Sequence, residues 1–204
     1  MSTFPMIVSG AVEGIVDEAV LRRLLQELDA TPGPIHIAGG KSRLRDRISG
    51  YNQAARHQPW VVLVDLNHEA VCAPELRVSW FPAVNEFVCF RVAVRETEAW
   101  LLADQQRIAQ FLDVSVRRIP SLPDELDDPK AAVVDLARRS GRRDIREDMV
   151  PRPRSRRSEG PAYASRLIEF AQQLWRPTVA ESRSDSLRRC RQALLGLVRG
   201  RSPP

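Results

Sequence analysis

The sequence predicts an α/β protein: a wound, mostly parallel sheet flanked by helices, with a C-terminal helical extension. The stretch from Trp60 to Val64 is apolar throughout and rich in valine, which is typical of a strand buried on both faces of a parallel sheet. Strand-like and helix-like stretches also alternate in the β-α-β order of a right-handed wound sheet. We therefore expect a wound α/β core at 1–115 and a helical extension at 116–204 that packs on it.

Four strands are predicted from short apolar runs. The first lies at 4–9. The segment 31–34, Thr-Pro-Gly-Pro, is predicted to break the chain in a turn that precedes a second strand at 35–38. The third strand is the apolar run at 60–65, and the fourth lies at 87–94. The first three are separated by helix-like stretches, which is why a parallel arrangement is expected.

The helices are predicted from apolar residues at helical spacing. Asp17 is predicted to cap the first of them, and Asp128 followed by Pro129 opens a later one. Residues 68–86 contain two prolines and predict only a short helix and a loop. The predicted helices lie at 17–28, 42–56, 96–103, 104–112, 128–139, 163–175 and 185–198.

Composition limits the class of protein. The chain has 204 residues and is 43% hydrophobic, which is enough for a substantial core. Its longest apolar runs hold about five residues, whereas a membrane span needs about 20, so no membrane partner is expected. Three widely spaced cysteines predict neither a disulfide framework nor a structural zinc site, and we expect a cytoplasmic protein.

The net charge of +5 is carried almost wholly by arginine, since Lys41 and Lys130 are the only lysines. An arginine bias often reflects genome composition, so it does not by itself indicate nucleic acid. Residues 138–158 concentrate nine arginines with two prolines, which predicts either a disordered loop or a basic arm for DNA or RNA. The candidate contacts in such an arm are Arg152, Arg154, Arg156 and Arg157.

Polar side chains follow the first and third strands. Glu13 comes after the first, and Asp65 with Asn67 comes at the end of the third. Parallel strands end at the same edge of a sheet, where ligands bind, and oxygen ligands suit Mg²⁺ or Mn²⁺. The sequence thus predicts a metal site of Glu13, Asp65 and Asn67, with Glu13 and Asp65 also as catalytic candidates. The alternative is that Asp65 merely begins a turn and that each residue is an exposed loop side chain.

Two glutamates follow the fourth strand. Glu96 is a candidate further metal ligand, and Glu98 is our preferred catalytic acid or base. The alternative is that an acid in the first turn simply complements the helix dipole.

Gly39, Gly40 and Lys41 stand between a strand and a helix but do not form a P-loop, because the position that requires a further glycine is Ile35. A looser phosphate or other anion contact through these residues, and through Lys130, is predicted instead. The alternative is a glycine turn needed for close packing of strand and helix.

These residues carry a resemblance. Glu13 in Val12-Glu13-Gly14, together with Asp65-Leu66-Asn67, resembles the TOPRIM domain of topoisomerases, primases and OLD-type nucleases. The whole chain resembles a bacterial domain-of-unknown-function family of TOPRIM-like proteins. The shared segments are VEGIVDE, GGK, VDLN, FRVAVRETEAWLLAD, DPK, GPAY and SLRRC.

The resemblance implies Mg²⁺-dependent phosphodiester chemistry, with Glu13 as acid, base or metal ligand and Asp65 as metal ligand. Asn67 departs from the pattern, since an acid is usual there, and an uncharged ligand lowers affinity for the cation. Glu96, Glu98 and Asp104 are then candidates for further carboxylates. OLD-type nucleases work beside an ATPase, which implies an ATPase partner, in phage defence by analogy.

Three hypotheses follow. The first is a metal-dependent nuclease acting on DNA or RNA. The second is a non-catalytic nucleic-acid-binding or regulatory subunit with a degenerate metal site. The third, weaker, is a small-molecule phosphotransferase or phosphatase on the same sheet.

Overall fold

A four-stranded parallel sheet forms the centre of the protein in the computed structural model, which describes residues 5–67, 72–80 and 85–200. The strands are β1 (Ile7–Val12), β2 (Thr31–Ile37), β3 (Trp60–Asp65) and β4 (Val88–Ala93). Their order is β2-β1-β3-β4, and all three neighbouring pairs are parallel. The predicted α/β fold class is therefore confirmed.

Helices cover both faces of this sheet. The described residues form two short 3₁₀ turns, at Val116–Arg118 and Pro123–Glu125, and eleven α-helices. The α-helices are α1 (Ile15–Glu27), α2 (Lys41–Asp46), α3 (Ile48–Ala54), α4 (Ala73–Trp80), α5 (Thr97–Ala103), α6 (Gln105–Leu112), α7 (Pro129–Arg138), α8 (Arg143–Met149), α9 (Tyr163–Gln173), α10 (Pro177–Ala180) and α11 (Asp185–Val198).

Two apolar clusters fill the interior, one on each side of the sheet. Successive β3 residues point to opposite faces, so Val61 and Leu63 join one cluster while Val62 and Val64 join the other. The first and larger cluster is built with α1 and α5 to α11, and the second with α2, α3 and α4. β3 is thus buried on both faces, as its continuous apolar run predicts.

The C-terminal helices share the larger cluster with the sheet. Trp100 and Trp175 are fully buried there, and the Trp175 indole N–H donates to the Trp100 carbonyl at 3.1 Å. The Trp100 indole N–H in turn donates to the Ser186 hydroxyl of α11 at 2.7 Å. The expected packing of the last two long helices on the core is confirmed.

Three predicted elements differ from the structure. β1 covers 7–12 and not 4–9, and Phe4 lies outside the described residues. β2 begins at Thr31 and includes the residues predicted to break the chain. Proline has no backbone N–H to donate, and a strand at the edge of the sheet tolerates this loss where a central strand would not. The predicted helix at 42–56 is two helices, which meet at Arg47.

The arginine-rich stretch is not a disordered loop throughout. Residues 143–149 form α8, and its side chains Ile145 and Met149 are fully buried in the larger cluster. These two apolar residues are spaced by one helical turn, which anchors the helix. Residues 151–162 then run as an exposed loop. It is fixed at its end by hydrogen bonds from the N–H groups of Gly160 and Ala162 to the carbonyls of Met149 and Asp148, at 3.0 and 2.9 Å.

Candidate functional site

The acids that follow β1 and β3 lie together. β1 and β3 are neighbours with Ala11 opposite Val62, so the two strands end side by side. The carboxylate of Glu13 accepts a hydrogen bond from the Asp65 backbone N–H at 2.9 Å. The expected convergence of these two acids at the carboxyl edge of the sheet is therefore found.

Asp17 and Thr97 join this pair, and the sequence reasoning missed both roles. The Thr97 backbone N–H donates to Asp65 Oδ1 at 3.0 Å, while its hydroxyl donates to Asp17 Oδ1 at 2.6 Å. Asp17 is not the helix cap predicted for it, since Gly14 takes that position and its N–H donates to Asp17 Oδ2 at 2.9 Å. Thr97, at the start of α5, thus orients two acids from different elements.

Glu96 and Glu98 extend the group toward the C-terminal helices. Glu96 Oε2 accepts the backbone N–H of Lys130, in the first turn of α7, at 2.9 Å. Glu98 Oε1 accepts the hydroxyl of Tyr163 at 3.2 Å and lies 3.8 Å from the Lys130 ammonium. Tyr163 carried no functional signal in the sequence, because its partner lies 65 residues away along the chain.

We call this group the carboxylate centre, formed by Glu13, Asp17, Asp65, Glu96 and Glu98. Burial, and then the negative charges of the other four members, raise the pKa of Asp65 well above its usual range. Burial raises the pKa of Glu98 to about 7, although Lys130 works to lower it, and burial also raises the pKa of Asp17. If all five acids were ionised, the centre would therefore hold more negative charge than its surroundings compensate. Glu98 is suited to give or take a proton near neutral pH.

The predicted anion contacts have other partners. The N–H groups of Gly39 and Gly40 both donate to the Glu13 carbonyl, at 3.0 and 3.1 Å, so they do not face a phosphate as predicted. The Lys41 ammonium donates to the carbonyls of Asp65 and Leu66, at 2.6 and 3.1 Å. Lys130 faces the carboxylate centre. The glycines and Lys41 thus hold the ends of β1 and β3, which corresponds to the structural alternative.

Asn67 and Asp104 have structural explanations. Asn67 has φ 49°, a left-handed conformation in which asparagine is favoured, and its N–H donates to the Arg95 carbonyl at 2.9 Å. Asp104 is fully buried but pairs with Arg176 at 2.7 Å and caps α6. The Asp104 carboxylate therefore has two structural roles, the ion pair with Arg176 and the cap of α6.

The donor set suits a hard divalent cation, because such ions take carboxylate oxygens. Among the described residues, however, no group of three or more histidine, cysteine, aspartate or glutamate side chains is arranged to hold a metal ion. At Asp65, Glu96 and Glu98, at least one carboxylate oxygen already accepts a hydrogen bond. The chemistry of the centre fits the ion, whereas a ready-made ligand geometry is not present in the described part of the chain.

The four predicted arm arginines, at 152, 154, 156 and 157, are exposed on the loop at 151–162. The structure gives their side chains no ion pair with any described acid. Arg154 has φ 66°, which marks a sharp turn at the tip of the loop. Their exposure is compatible with the predicted contacts to nucleic acid.

Comparisons of the chain with protein-family models, with curated proteins and with solved structures found no match. The TOPRIM resemblance therefore remains a prediction from the motifs. None of the helices in the described part of the chain combines the length and apolarity that a membrane crossing requires.

Proposed function

We propose that this protein is a TOPRIM-like enzyme that uses Mg²⁺ or Mn²⁺ to act on phosphodiester bonds of nucleic acid in the cytoplasm. The observation that carries the proposal is the carboxylate centre at the edge of a parallel sheet. Five acids meet there, from the end of β1, from α1, from β3 and from the start of α5. Burial, and then their mutual repulsion, raises the pKa of Asp65. A bound cation would relieve that repulsion.

Glu13, Asp65 and Glu96 would hold the cation, since they come from the ends of β1, β3 and β4. When bound, the cation polarises a phosphoryl oxygen and lowers the pKa of a bound water. Glu98 is the acid or base of this scheme, because its pKa of about 7 lets both protonation states occur at neutral pH. Lys130, whose ammonium lies 3.8 Å from Glu98, keeps part of the Glu98 population ionised.

The test measures Mn²⁺ binding by calorimetry and divalent-dependent cleavage of plasmid and single strands. Glu13→Gln keeps an oxygen for the Asp65 N–H, and Asp65→Asn keeps the acceptor for Thr97, so both should fold while losing most binding and cleavage. Asp65→Ala is less suitable, because it also removes that acceptor. Asp29→Asn is the matched control: Asp29 is an exposed acid with φ 56° at the far end of α1, where asparagine is equally suited.

Cleavage that survives Asp65→Asn would come from another site or a contaminant, and the proposal would be wrong. Asn67→Asp adds a charge at a left-handed position that aspartate also tolerates. It should tighten cation binding and raise activity, because the added carboxylate provides the charge that the resemblance predicts.

A second candidate function is a non-catalytic nucleic-acid-binding or regulatory subunit. It is favoured by Asn67 and by the lack of a ready-made group of three metal ligands among the described residues. This candidate predicts nucleic-acid binding without cleavage, with cation binding only in Asn67→Asp. Cleavage assays with and without a candidate ATPase partner separate a subunit that needs activation from one that never cleaves.

A further inference from the structure

We propose that α7, α8 and the loop at 151–162 form a groove that binds the sugar-phosphate backbone of a nucleic acid and leads it to the carboxylate centre. This inference rests on the proposed function, since the bound strand would be the substrate. The groove would be the route by which that substrate approaches the carboxylate centre. We call this surface the arginine groove.

Three adjacent depressions that share lining residues form the arginine groove. The first, of about 400 Å³, is lined by Glu96 and Lys130 and ends at Arg138. Arg138 also lines the second, of about 850 Å³, which continues to Arg152. Arg152 in turn lines the third, of about 420 Å³, together with Arg157. Because neighbouring depressions share an arginine, they lie next to one another along the surface.

The loop that carries these arginines returns to the carboxylate centre. Ser158 lines the same depression as Glu96 and Lys130. This shared lining places the end of the loop beside Lys130, so one end of the arginine groove lies at the centre.

The charge of the arginine groove is uneven along its length. The first depression is lined by Glu96, Asp128 and Asp135 against Lys130 and Arg138. The second and third depressions have arginine in excess, which suits a polyanion. Among the described residues, Arg138 and Arg143 form ion pairs only with exposed acids of their own helices, Asp135 and Glu147, and such surface pairs are weak and exchangeable. Arg152 and the other loop arginines have no ion pair with any described residue. Glu159 reduces the positive charge at the third depression, but arginine remains in excess there.

The lining also indicates what is recognised. None of the described residues that line the three depressions is aromatic, whereas proteins that read single strands through their bases stack them on aromatic side chains. Six arginines and three prolines line the three depressions, together with six acids. The arginine groove is thus built to contact phosphates without selecting sequence, and a phosphodiester backbone of DNA or RNA is the shared ligand chemistry.

The test compares two double variants that remove equal charge. Arg138→Ala with Arg152→Ala removes the two arginines that are shared between neighbouring depressions. Arg117→Ala with Arg139→Ala removes two exposed arginines that lie outside the loop and line none of the three depressions. Binding of a short labelled oligonucleotide, single-stranded or duplex and DNA or RNA, is measured by anisotropy over a range of salt. A chelator removes divalent cations, so cleavage cannot interfere.

We expect the first pair to weaken binding at low salt by about tenfold or more and to reduce the salt slope by about 2, one for each lost phosphate contact. The control pair should change binding much less. Equal effects of the two pairs, or no binding of any of the four nucleic acids, would overturn the proposal. The form that binds most tightly identifies the substrate geometry, and tight binding of any one form supports the groove.

Failure of the arginine groove and failure of the proposed function are distinguishable. Asp65→Asn should leave binding in chelator intact, because Asp65 lies outside the groove lining. Loss of binding by the first pair without any cleavage by the unmodified protein would support the groove and refute the enzyme. Cleavage that is unaffected by the first pair would support the enzyme and refute the groove.

Discussion

Glu98 shows how a single residue takes its properties from three elements. It lies in the first turn of α5, and its side chain is almost fully buried. Its carboxylate accepts a hydrogen bond from Tyr163 of α9 and faces Lys130 of α7. Burial raises its pKa to about 7, and Lys130 provides the main opposing effect. The protonation state of Glu98 near neutral pH is therefore set by burial and opposed chiefly by one ammonium group.

Replacing that ammonium tests the arrangement. Lys130→Met keeps the side chain's length and removes its charge, so the Glu98 pKa should rise further above about 7 because burial is no longer opposed. Carbon-13 NMR of the glutamate carboxyls over a pH range measures this midpoint, and Glu98→Gln assigns the resonance. A midpoint that does not move would show that Lys130 has no influence on Glu98.

At this scale the sequence predicts the acids of the site but not their partners. Glu13 and Asp65 follow strands, so strand pairing alone brings them together. The roles of Thr97 and Tyr163 depend on hydrogen bonds to residues 80 and 65 positions away, which no local pattern records. The prediction that Asp17 is the helix cap is wrong, because an acid at the start of a helix already has a sufficient local explanation as a cap, and its contact with Thr97 is not local.

Among the elements, the loop at 151–162 depends on its contact with α8. A Cβ at Gly160 would lie 2.3 Å from the Asp148 carbonyl oxygen and 2.6 Å from the Met149 carbonyl carbon. These are backbone atoms, which cannot move aside as a flexible side chain would. The loop can therefore approach α8 this closely only because residue 160 is glycine.

Gly160→Ala should push the end of the loop away from α8, with a destabilisation of about 1–3 kcal/mol. It should also weaken nucleic-acid binding, because the loop arginines lose their fixed position. Gly50→Ala is the control: no atom lies within 4 Å of a Cβ there, and alanine in the interior of α3 should stabilise slightly. Thermal unfolding and anisotropy measure both effects, and equal behaviour of the two variants would contradict the predicted anchoring.

Element prediction succeeds where a pattern is long and fails where an element is short or at an edge. The buried strand β3 and the amphipathic helix α11 are found at the predicted positions. α8 is seven residues long and has only two buried apolar side chains. In so short a stretch the arginines outweigh the helical spacing, and the sequence predicts a loop or arm. β2 contains Pro32 and Pro34, which local sequence rules assign to a break in the chain. The segment can be a strand because it lies at the edge of the sheet, where the missing proline N–H groups are tolerated.

For the whole molecule, the carboxylate centre links stability to pH. Glu98 has a pKa of about 7 in the folded protein against an ordinary 4.5, so the folded state holds its proton more tightly than the unfolded chain does. The stability that this provides is fully present below the unfolded pKa and is lost as pH rises through about 7. The shift corresponds to roughly 3 kcal/mol, and the raised pKa values of Asp17 and Asp65 act in the same direction.

Thermal unfolding from about pH 5 to about pH 8 should therefore show a loss of stability that is smaller in Glu98→Gln, which cannot ionise. Asp29→Asn removes an exposed acid that is not part of the centre, so this variant should keep the full loss of stability. Mg²⁺ added at the higher pH should restore part of the stability if the ionised centre binds it. A pH dependence that is unchanged in Glu98→Gln would show that Glu98 ionises normally.

The two prolines of β2 have a consequence for how molecules of this protein meet each other. An outer strand with a full row of amide donors is a template on which a second chain can form hydrogen bonds and begin a fibre. Pro32 and Pro34 interrupt that row on the β2 side of the sheet. The prolines that obscure β2 in the sequence thus also protect the protein, when concentrated or partly unfolded, from joining its copies strand to strand at this edge.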